Sequence, residues 1–233
     1  ADVTERILQR PRELGACAAG IAGVSRLGEA PAYRETGRVI RSEGALSLLV
    51  IAVPHPPDQP ELDWWDRGPG GTRGNRRLMQ ISAEMQGWVK RALGLAARDV
   101  PYSLEAGGIF LKDAAALAGL GKVGKNNLLL TPEHGPRVRL RALFLHAQLE
   151  PSPPVDFDPC RQCSASCRRA CPRQAFGESG ERAYARAACD RQMARDLADP
   201  VRIEGWEPDG GPGAVVKYCR ACELGCPWTN GGR

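Results

Sequence analysis

The sequence holds no apolar run of about 18 residues, so no helix crossing a membrane is expected from it. It has no P-loop, no G-x-G-x-x-G following a strand and no nucleophile elbow, which removes the phosphate-cradling, dinucleotide-binding and α/β-hydrolase readings. Its opening stretch, residues 1–12, is charged and helical in pattern, unlike a secretory signal, so a cytoplasmic protein is expected. Apart from two groups of cysteines there is no internal repeat, and the closing Gly-Gly-Arg is the sole low-complexity tract. Histidine is scarce as well: His55 stands beside three prolines at a strand end, and His134 and His146 have no ligand partner near them in sequence.

What remains is a chain of 233 residues, enough for one large or two small domains whose core needs no disulfide staples. Apolar residues at 42% against 25% charged fit a water-soluble globular protein, and 27 glycines with 19 prolines predict many turns. The formal charge of +5 assumes neutral thiols. The negative charge of thiolates bound at a metal centre would lower that total, so the basic balance is no argument for nucleic acid. Arg161, Arg168, Arg169 and Arg173 fit the offsetting of that charge.

Along the chain, residues 1–25 read as a helix followed by a small-residue strand or turn. Ala45–Val53 is an uninterrupted apolar run, the pattern of a buried strand, ended by Pro54-His55-Pro56-Pro57. Residues 57–75 form a loop with Trp64-Trp65 inside it. Arg76–Ala97 is a helix on the spacing of Leu78, Ile81, Met85, Trp88, Val89 and Leu93. The three tryptophans read as packing. Leu111–Leu120 is a short Ala-rich helix closed by Gly119 and Gly121. Leu128–Thr131 is a strand stub. Arg137–Leu145 alternates as a strand that sets Arg137, Arg139 and Arg141 on one face, expected to be solvated, with contact to a phosphate or cofactor tail as the alternative. Pro151–Pro154 reads as a linker between an α/β domain, residues 1–150, and a cysteine-rich domain, residues 155–233.

Nine cysteines suit either disulfides or metal, and their distribution favours metal. Cys17 stands alone and reads as a small buried hydrophobe. The rest form Cys160-x2-Cys163-x3-Cys167-x3-Cys171-Pro172, then Cys189, then Cys219-x2-Cys222-x3-Cys226-Pro227. Two-cluster ferredoxins use C-x2-C-x2-C-x3-C-P, with the fourth cysteine serving the other cluster. That pattern assigns Cys160, Cys163, Cys167 and Cys226 to one [4Fe–4S] cluster and Cys171, Cys189, Cys219 and Cys222 to a second. Two departures stand out: the Cys163–Cys167 gap holds three residues, and Cys189 is far from Cys219 in sequence. Two zinc sites of four cysteines each are the rival reading, although such sites are usually built from paired C-x2-C knuckles. Clusters of this kind move single electrons, and a pair of them needs an acceptor.

The segment Lys112–Leu130, KDAAALAGLGKVGKNNLLL, resembles the signature of epoxyqueuosine reductase and its relatives. The carrying pieces are Ala118-Gly119-Leu120-Gly121 and Gly124-Lys125-Asn126-x-Leu128-Leu129, together with the cysteine order closing on Cys-Pro-Trp at Trp228. The resemblance is specific over 104–130 and 156–228 and loose before residue 100. It implies an α+β protein: a nitroreductase-like cobalamin-binding α/β domain followed by a ferredoxin-like domain with two [4Fe–4S] clusters. It implies a corrinoid-dependent oxidoreductase in which electrons pass through the clusters to cobalamin cobalt and then to a substrate. Gly119, Gly121, Lys122, Val123, Gly124, Lys125 and Asn126 would form the cobalamin cradle, since glycine permits close backbone approach to a flat macrocycle. The catalytic acid of the family is an aspartate, and the matching position here is Glu105, one methylene longer, able to protonate a leaving oxygen in a pocket that raises its pKa. The few histidines favour cobalt with no protein ligand below it.

In the queuosine enzymes the substrate is a modified tRNA base, and a C-terminal helical-repeat domain helps bind the tRNA. This chain ends soon after Trp228, so a short relative without that domain is expected, with a small molecule, a nucleoside or another corrinoid protein as substrate ahead of tRNA. An external donor of the ferredoxin or flavodoxin type would supply electrons. The alternatives are a reductive activator of another corrinoid protein, a cobalamin-handling protein, and a plain ferredoxin-like carrier.

Overall fold

The apolar run Ala45–Val53 supplies an inner strand, Ser47–Pro54, of an antiparallel sheet. The computed structural model describes residues 2–177, 184–209 and 213–228, and the closing Gly-Gly-Arg lies outside them. Its helices are α1 (Val3–Glu13), α2 (Val24–Leu27), α3 (Pro31–Thr36), α4 (Arg73–Leu93), α5 (Leu111–Leu117), α6 (Ser166–Arg169), α7 (Arg186–Ala198) and α8 (Ala221–Leu224). Its strands are β1 (Ala18–Gly23), β2 (Ser47–Pro54), β3 (Ala97–Asp99), β4 (Lys122–Val123), β5 (Leu129–Leu130) and β6 (Val138–Leu145). They fall into two compact units. The first comprises Ala1–Pro54, Leu78–Lys122 and Val138–Phe157, the second His55–Arg77, Val123–Arg137 and Asp158–Arg233. The chain therefore passes between units several times.

In the first unit the strand order is β1-β2-β6-β3, and every pairing is antiparallel. β2 is apolar on both faces because both are covered. Leu49, Ile51 and Val53 join Ile21, Leu143 and Leu145 in a core with Ile7 of α1 and Leu78, Ile81, Met85 and Val89 of α4. On the alternate positions Leu48, Val50, Ala52, Ala142 and Phe144 are equally buried, and α5 packs on β1, β2 and β6 with Ala114 and Ala115 fully enclosed. A two-sided sheet erases the period-2 signal, which is why the run read as continuous.

Three details differ from the sequence reading. The long helix starts three residues earlier, at Arg73, and ends at Leu93; Ala97–Asp99 then forms edge strand β3 on β6. The 151–154 segment is not a free linker: Ser152 exchanges two hydrogen bonds with Ile21 of β1, each 2.9 Å. Arg141 is not on a solvated face. It is 8% exposed, and its guanidinium holds Asp99 at 2.7 Å.

In the second unit, a buried charged group ties residues 55–63 to the segment entering α8. His55 Nδ1 lies 2.6 Å from Asp63 Oδ1, and Arg220 reaches Asp63 Oδ2 at 2.7 Å. Arg220 also donates to the His55 carbonyl at 2.9 Å and to the Glu223 carboxylate. Glu223 is 4% exposed and His55 1%. A Cβ on Gly74 would lie 2.0 Å from His55 Nε2, so glycine is the residue that lets the α4 backbone close on this imidazole. Nearby, Trp65 bridges both Thr72 and Val216, and Trp64 meets Trp206 edge-on at 5.0 Å, so these aromatics do pack.

Two expected outcomes follow from this packing. A Cβ on Gly20 of β1 would meet the Ala118 carbonyl at 2.0 Å and Leu120 at 2.5 Å, whereas one on Gly28 meets nothing within 4 Å. Gly20→Ala should lower stability by about 1–3 kcal/mol in urea unfolding, the usual cost of overpacking, and Gly28→Ala should be near neutral. Arg220→Met strips the shared cation from the Asp63 and Glu223 carboxylates; a loss of about 3–5 kcal/mol is expected, read from the same unfolding curves.

Candidate metal centre

Two four-residue helices set out the cysteines of the second unit. Cys167 lies on α6 and Cys222 on α8, with Cys160 and Cys163 in the turns before α6 and Cys219 just before α8. Two residues past each helix comes a Cys-Pro, Cys171-Pro172 after α6 and Cys226-Pro227 after α8. The helices cross closely because Gly225 lacks a side chain: a Cβ there would sit 2.7 Å from Ala170 Cβ. Ser166 Oγ donates to the Gly225 carbonyl at 2.8 Å and fixes the crossing. The third residue in the Cys163–Cys167 gap is accommodated by Ala165, which takes the left-handed conformation with φ 57° and ψ 42°.

This crossing sorts the thiols into two foursomes. Around Cys167 stand Cys226, Cys160 and Cys163, and around Cys222 stand Cys219, Cys171 and Cys189. α7 delivers Cys189, so the helix between the two sequence groups closes the distance to Cys219. All eight are free thiols, as is Cys17, whose Sγ donates to the Ala52 carbonyl in the first unit. Burial first pushes the thiols of Cys167, Cys219 and Cys226 up, and that of Cys222 up to about 12; neighbouring cysteines add to it, preceded at Cys219 by the Asp196 carboxylate. Opposing this, backbone N–H groups point at sulfur: Lys125 N to Cys160 and Ala175 N to Cys171, both at 3.4 Å, with further N–H donors at Cys167, Cys219 and Cys226. Four crowded thiols with amides aimed at them are costly to ionise alone and suited to a shared cationic core. Among the described residues no three His, Cys, Asp or Glu side chains are drawn together tightly enough for a single metal ion. A cavity of about 380 Å³ instead opens at the first foursome, lined by its four cysteines with Lys125 and Asn126. The donor set fits an iron–sulfide cluster, which when bound would supply one-electron chemistry.

Several residues outside the cysteine pattern hold these segments. Arg137, 7% exposed, donates to the carbonyls of Trp228 at 3.1 Å and Cys226 at 3.4 Å, so the solvated face expected for it is wrong. Trp228 Nε1 donates to Pro132 O at 3.1 Å, and Gly135 lets the Trp228 backbone come close. Asp196 of α7 accepts the Cys219 N–H at 2.8 Å. Tyr184, stacked on Phe176, is hydrogen-bonded with Cys189, and burial followed by that contact raises its pKa. Neither Asp196 nor Tyr184 carries a motif from which sequence could have singled it out.

The residues read as a cobalamin cradle divide between the units. Gly119, Gly121 and Lys122 belong to the first. Gly119 has φ 72°, and a Cβ there would meet Pro153 O at 2.3 Å. Val123, Gly124, Lys125 and Asn126 belong to the second, where a Cβ on Gly124 would meet Leu130 Cδ1 at 1.9 Å. Lys125 Nζ donates to Cys163 O at 2.9 Å, and buried Asn126 Nδ2 donates to Cys222 O at 3.3 Å. The chain's own packing thus accounts for Gly119 and Gly124, and for the polar ends of Lys125 and Asn126. Glu105 lies in the first unit with its side chain 80% exposed, accepting from Ser103 Oγ at 2.7 Å with Arg38 at 3.9 Å. His134 approaches Glu133 at 3.9 Å, and His146 is exposed.

No family model matches the chain. It is 26% identical over 199 residues to epoxyqueuosine reductase of Lactococcus garvieae, which covers 81% of this chain and 53% of that protein. To the tetrachloroethene reductive dehalogenase of Sulfurospirillum multivorans it is 34% identical over 122 residues, 50% of this chain and 23% of that protein. The chain thus spans about half, or less than a quarter, of the relatives it matches. Among solved structures, epoxyqueuosine reductase of Streptococcus thermophilus superposes with a TM-score of 0.64 at 20% identity, over 99% of this chain and 68% of that one. An epoxyqueuosine reductase with an epoxyqueuosine-modified tRNA-Tyr stem loop gives 0.63 at 19% identity, over 97% and 64%. A reductive dehalogenase described for its B12-dependent dehalogenation gives 0.52 at 23% identity, over 72% and 24%. The mixed helix-and-sheet fold is the one these two enzyme groups have, and in sequence the chain is similar to epoxyqueuosine reductases at 26–30% identity.

Proposed function

We propose that the chain is the redox-active part of a corrinoid-dependent reductase. Electrons from a ferredoxin- or flavodoxin-type donor pass through two [4Fe–4S] clusters to the cobalt of a cobalamin, and from there to a substrate. The observation that carries the reading is the sorting of eight cysteines into the foursomes Cys160/Cys163/Cys167/Cys226 and Cys171/Cys189/Cys219/Cys222. Each Cys-Pro is exchanged to the other group, as in two-cluster ferredoxins. The relatives add the corrinoid: a B12-dependent dehalogenase shares the fold, and epoxyqueuosine reductases share sequence over most of the chain. The first unit, with Gly119, Gly121 and Lys122 at its end, would be the cobalamin-binding side. The second would be the ferredoxin-like one.

The substrate class follows from what stands at the Glu105 position. A carboxyl that donates a proton near neutrality needs burial to raise its pKa. Glu105 is exposed, with its side chain 80% accessible and accepting from Ser103 Oγ. That favours, as a second reading, a redox partner that re-reduces the cobalt of another corrinoid protein without turning over a small substrate. A tRNA stem loop is the ligand of one structural neighbour, and for this chain a nucleoside or tRNA remains a substrate to test alongside.

Protein purified without oxygen should hold about eight irons and eight sulfides per chain, together with cobalt when cobalamin is supplied. Cys226→Ser should halve the iron while leaving the Cys171/Cys189/Cys219/Cys222 cluster. Zinc in place of iron and sulfide would sink the reading. Glu105→Gln should leave cobalt reduction unchanged if the chain is a redox partner. A fall in substrate turnover of tenfold or more would instead establish a proton donor.

A further inference from the structure

The Lys125–Asn126 segment is polar, lies between the two cysteine groups and touches both. Its backbone N–H points at Cys160 Sγ at 3.4 Å, and Lys125 Nζ donates to the Cys163 carbonyl at 2.9 Å. The Lys125 carbonyl accepts from Arg168 Nε at 2.7 Å, and Arg168 follows Cys167 directly. Asn126 Nδ2 reaches the carbonyl of Cys222 at 3.3 Å. One strap thus meets the first group through its backbone N–H, its carbonyl and one ammonium group, and the second group through a neutral amide.

The surroundings of the two groups differ in the same sense. Beside the first stand Lys125, Arg168 and buried Arg137, whose guanidinium donates to the Cys226 carbonyl. Beside the second, the Asp196 carboxylate accepts the Cys219 N–H at 2.8 Å, and buried Glu223 follows Cys222. Arg220, between Cys219 and Cys222, is taken up by the carboxylates of Asp63 and Glu223. Arg173, after Cys171, donates to Gln192. Reduction adds one negative charge, which nearby cations and sulfur-directed N–H donors favour and nearby carboxylates oppose.

We infer that Lys125 is a positioning residue that holds the iron–sulfur cluster of Cys160, Cys163, Cys167 and Cys226 at the higher reduction potential, while Asp196 holds that of Cys171, Cys189, Cys219 and Cys222 at the lower. A single electron then rests preferentially at the first group, with no atom transferred. The inference depends on the two-cluster reading proposed above, and it gives Lys125 a role towards sulfur rather than towards a corrinoid.

The test is a potentiometric titration with dithionite, followed by electron paramagnetic resonance, on the full chain reconstituted with iron and sulfide. Two one-electron steps at distinct potentials are expected. Lys125→Met keeps the backbone N–H and the aliphatic stem and removes only the charge. It should lower the upper step by about 59 mV, a tenfold shift in the oxidised-to-reduced ratio at fixed potential, and leave the lower step in place. Lys125→Arg should restore the upper step. Asp196→Asn should raise the lower step alone. The inference is overturned if Lys125→Met moves the lower step, moves both alike or moves neither, or if arginine fails to restore it. A sample lacking iron and sulfide overturns the cluster reading and this inference together; a fully loaded sample with unmoved steps overturns the inference alone.

Discussion

Thiols repel one another once ionised, and a protein that draws four of them together out of water must supply a reason for them to stay. In the second unit that reason has to be found twice within about seventy residues. Burial and mutual fields act in the same direction on Cys167, Cys219, Cys222 and Cys226, against the thiolate. What balances them is a set of amides pointed at sulfur and a close crossing of α6 on α8. The crossing depends on the missing side chain of Gly225, and it gives each helix one thiol of its own and one beyond its end for the other group. Arg137, Trp228 and the turn around Gly135 then fix the outgoing Cys226-Pro227.

The first unit meets a different requirement. Its sheet is covered on both faces, so its strands specify register through packing alone, and charge enters only where it is paired. Burial pushes the Asp99 carboxyl up although Arg141 draws it down, and Asp113 is likewise raised by burial while Lys112 and the Ala32 amide oppose the shift. Asp113 sits in α5, two residues after the helix begins, and its contact with Ala32 ties that helix to the start of α3. The place where the chain leaves α5 into Gly119 is thereby fixed, and Gly20 admits the Ala118 carbonyl against β1. A motif of small residues is thus held by one buried acid and one absent side chain.

What the sequence made legible was whatever carries a period or a spacing. β2, α4 and β6 follow from their apolar runs, and the cysteine foursomes follow from counting residues between thiols. Edge strand β3 is not legible in sequence because Ala97 reads as the end of the helix, Arg98 and Asp99 carry no period, and the three pair with β6 only once the sheet exists. The charge on Arg137 and Arg141 misled for a related reason. Alternation predicts one shared face, but Arg137 lies just before β6 in the second unit, and whether each charge faces water is decided by partners remote in sequence, Asp99 for Arg141 and the carbonyls around Cys226 for Arg137. Asp196 and Tyr184 were invisible on the same grounds, since each acts through a single contact made by tertiary folding.

Glycine is where sequence reasoning is most ambiguous, and the Gly119–Asn126 stretch shows why. A missing Cβ permits close approach, but the residue type does not name what approaches. At Gly119 it is the Pro153 carbonyl, at Gly124 the Leu130 side chain, at Gly225 a neighbouring helix, at Gly74 an imidazole. The same holds for Lys125 and Asn126, whose donors suit a phosphate or a corrinoid amide as well as a main-chain carbonyl; the carbonyls they meet are those of Cys163 and Cys222. A motif whose family resemblance implies a corrinoid cradle can therefore also be explained, at Gly119, Gly124, Lys125 and Asn126, by the chain's own packing. In this chain the Lys125–Asn126 part of it organises the segments that carry Cys160, Cys163 and Cys222.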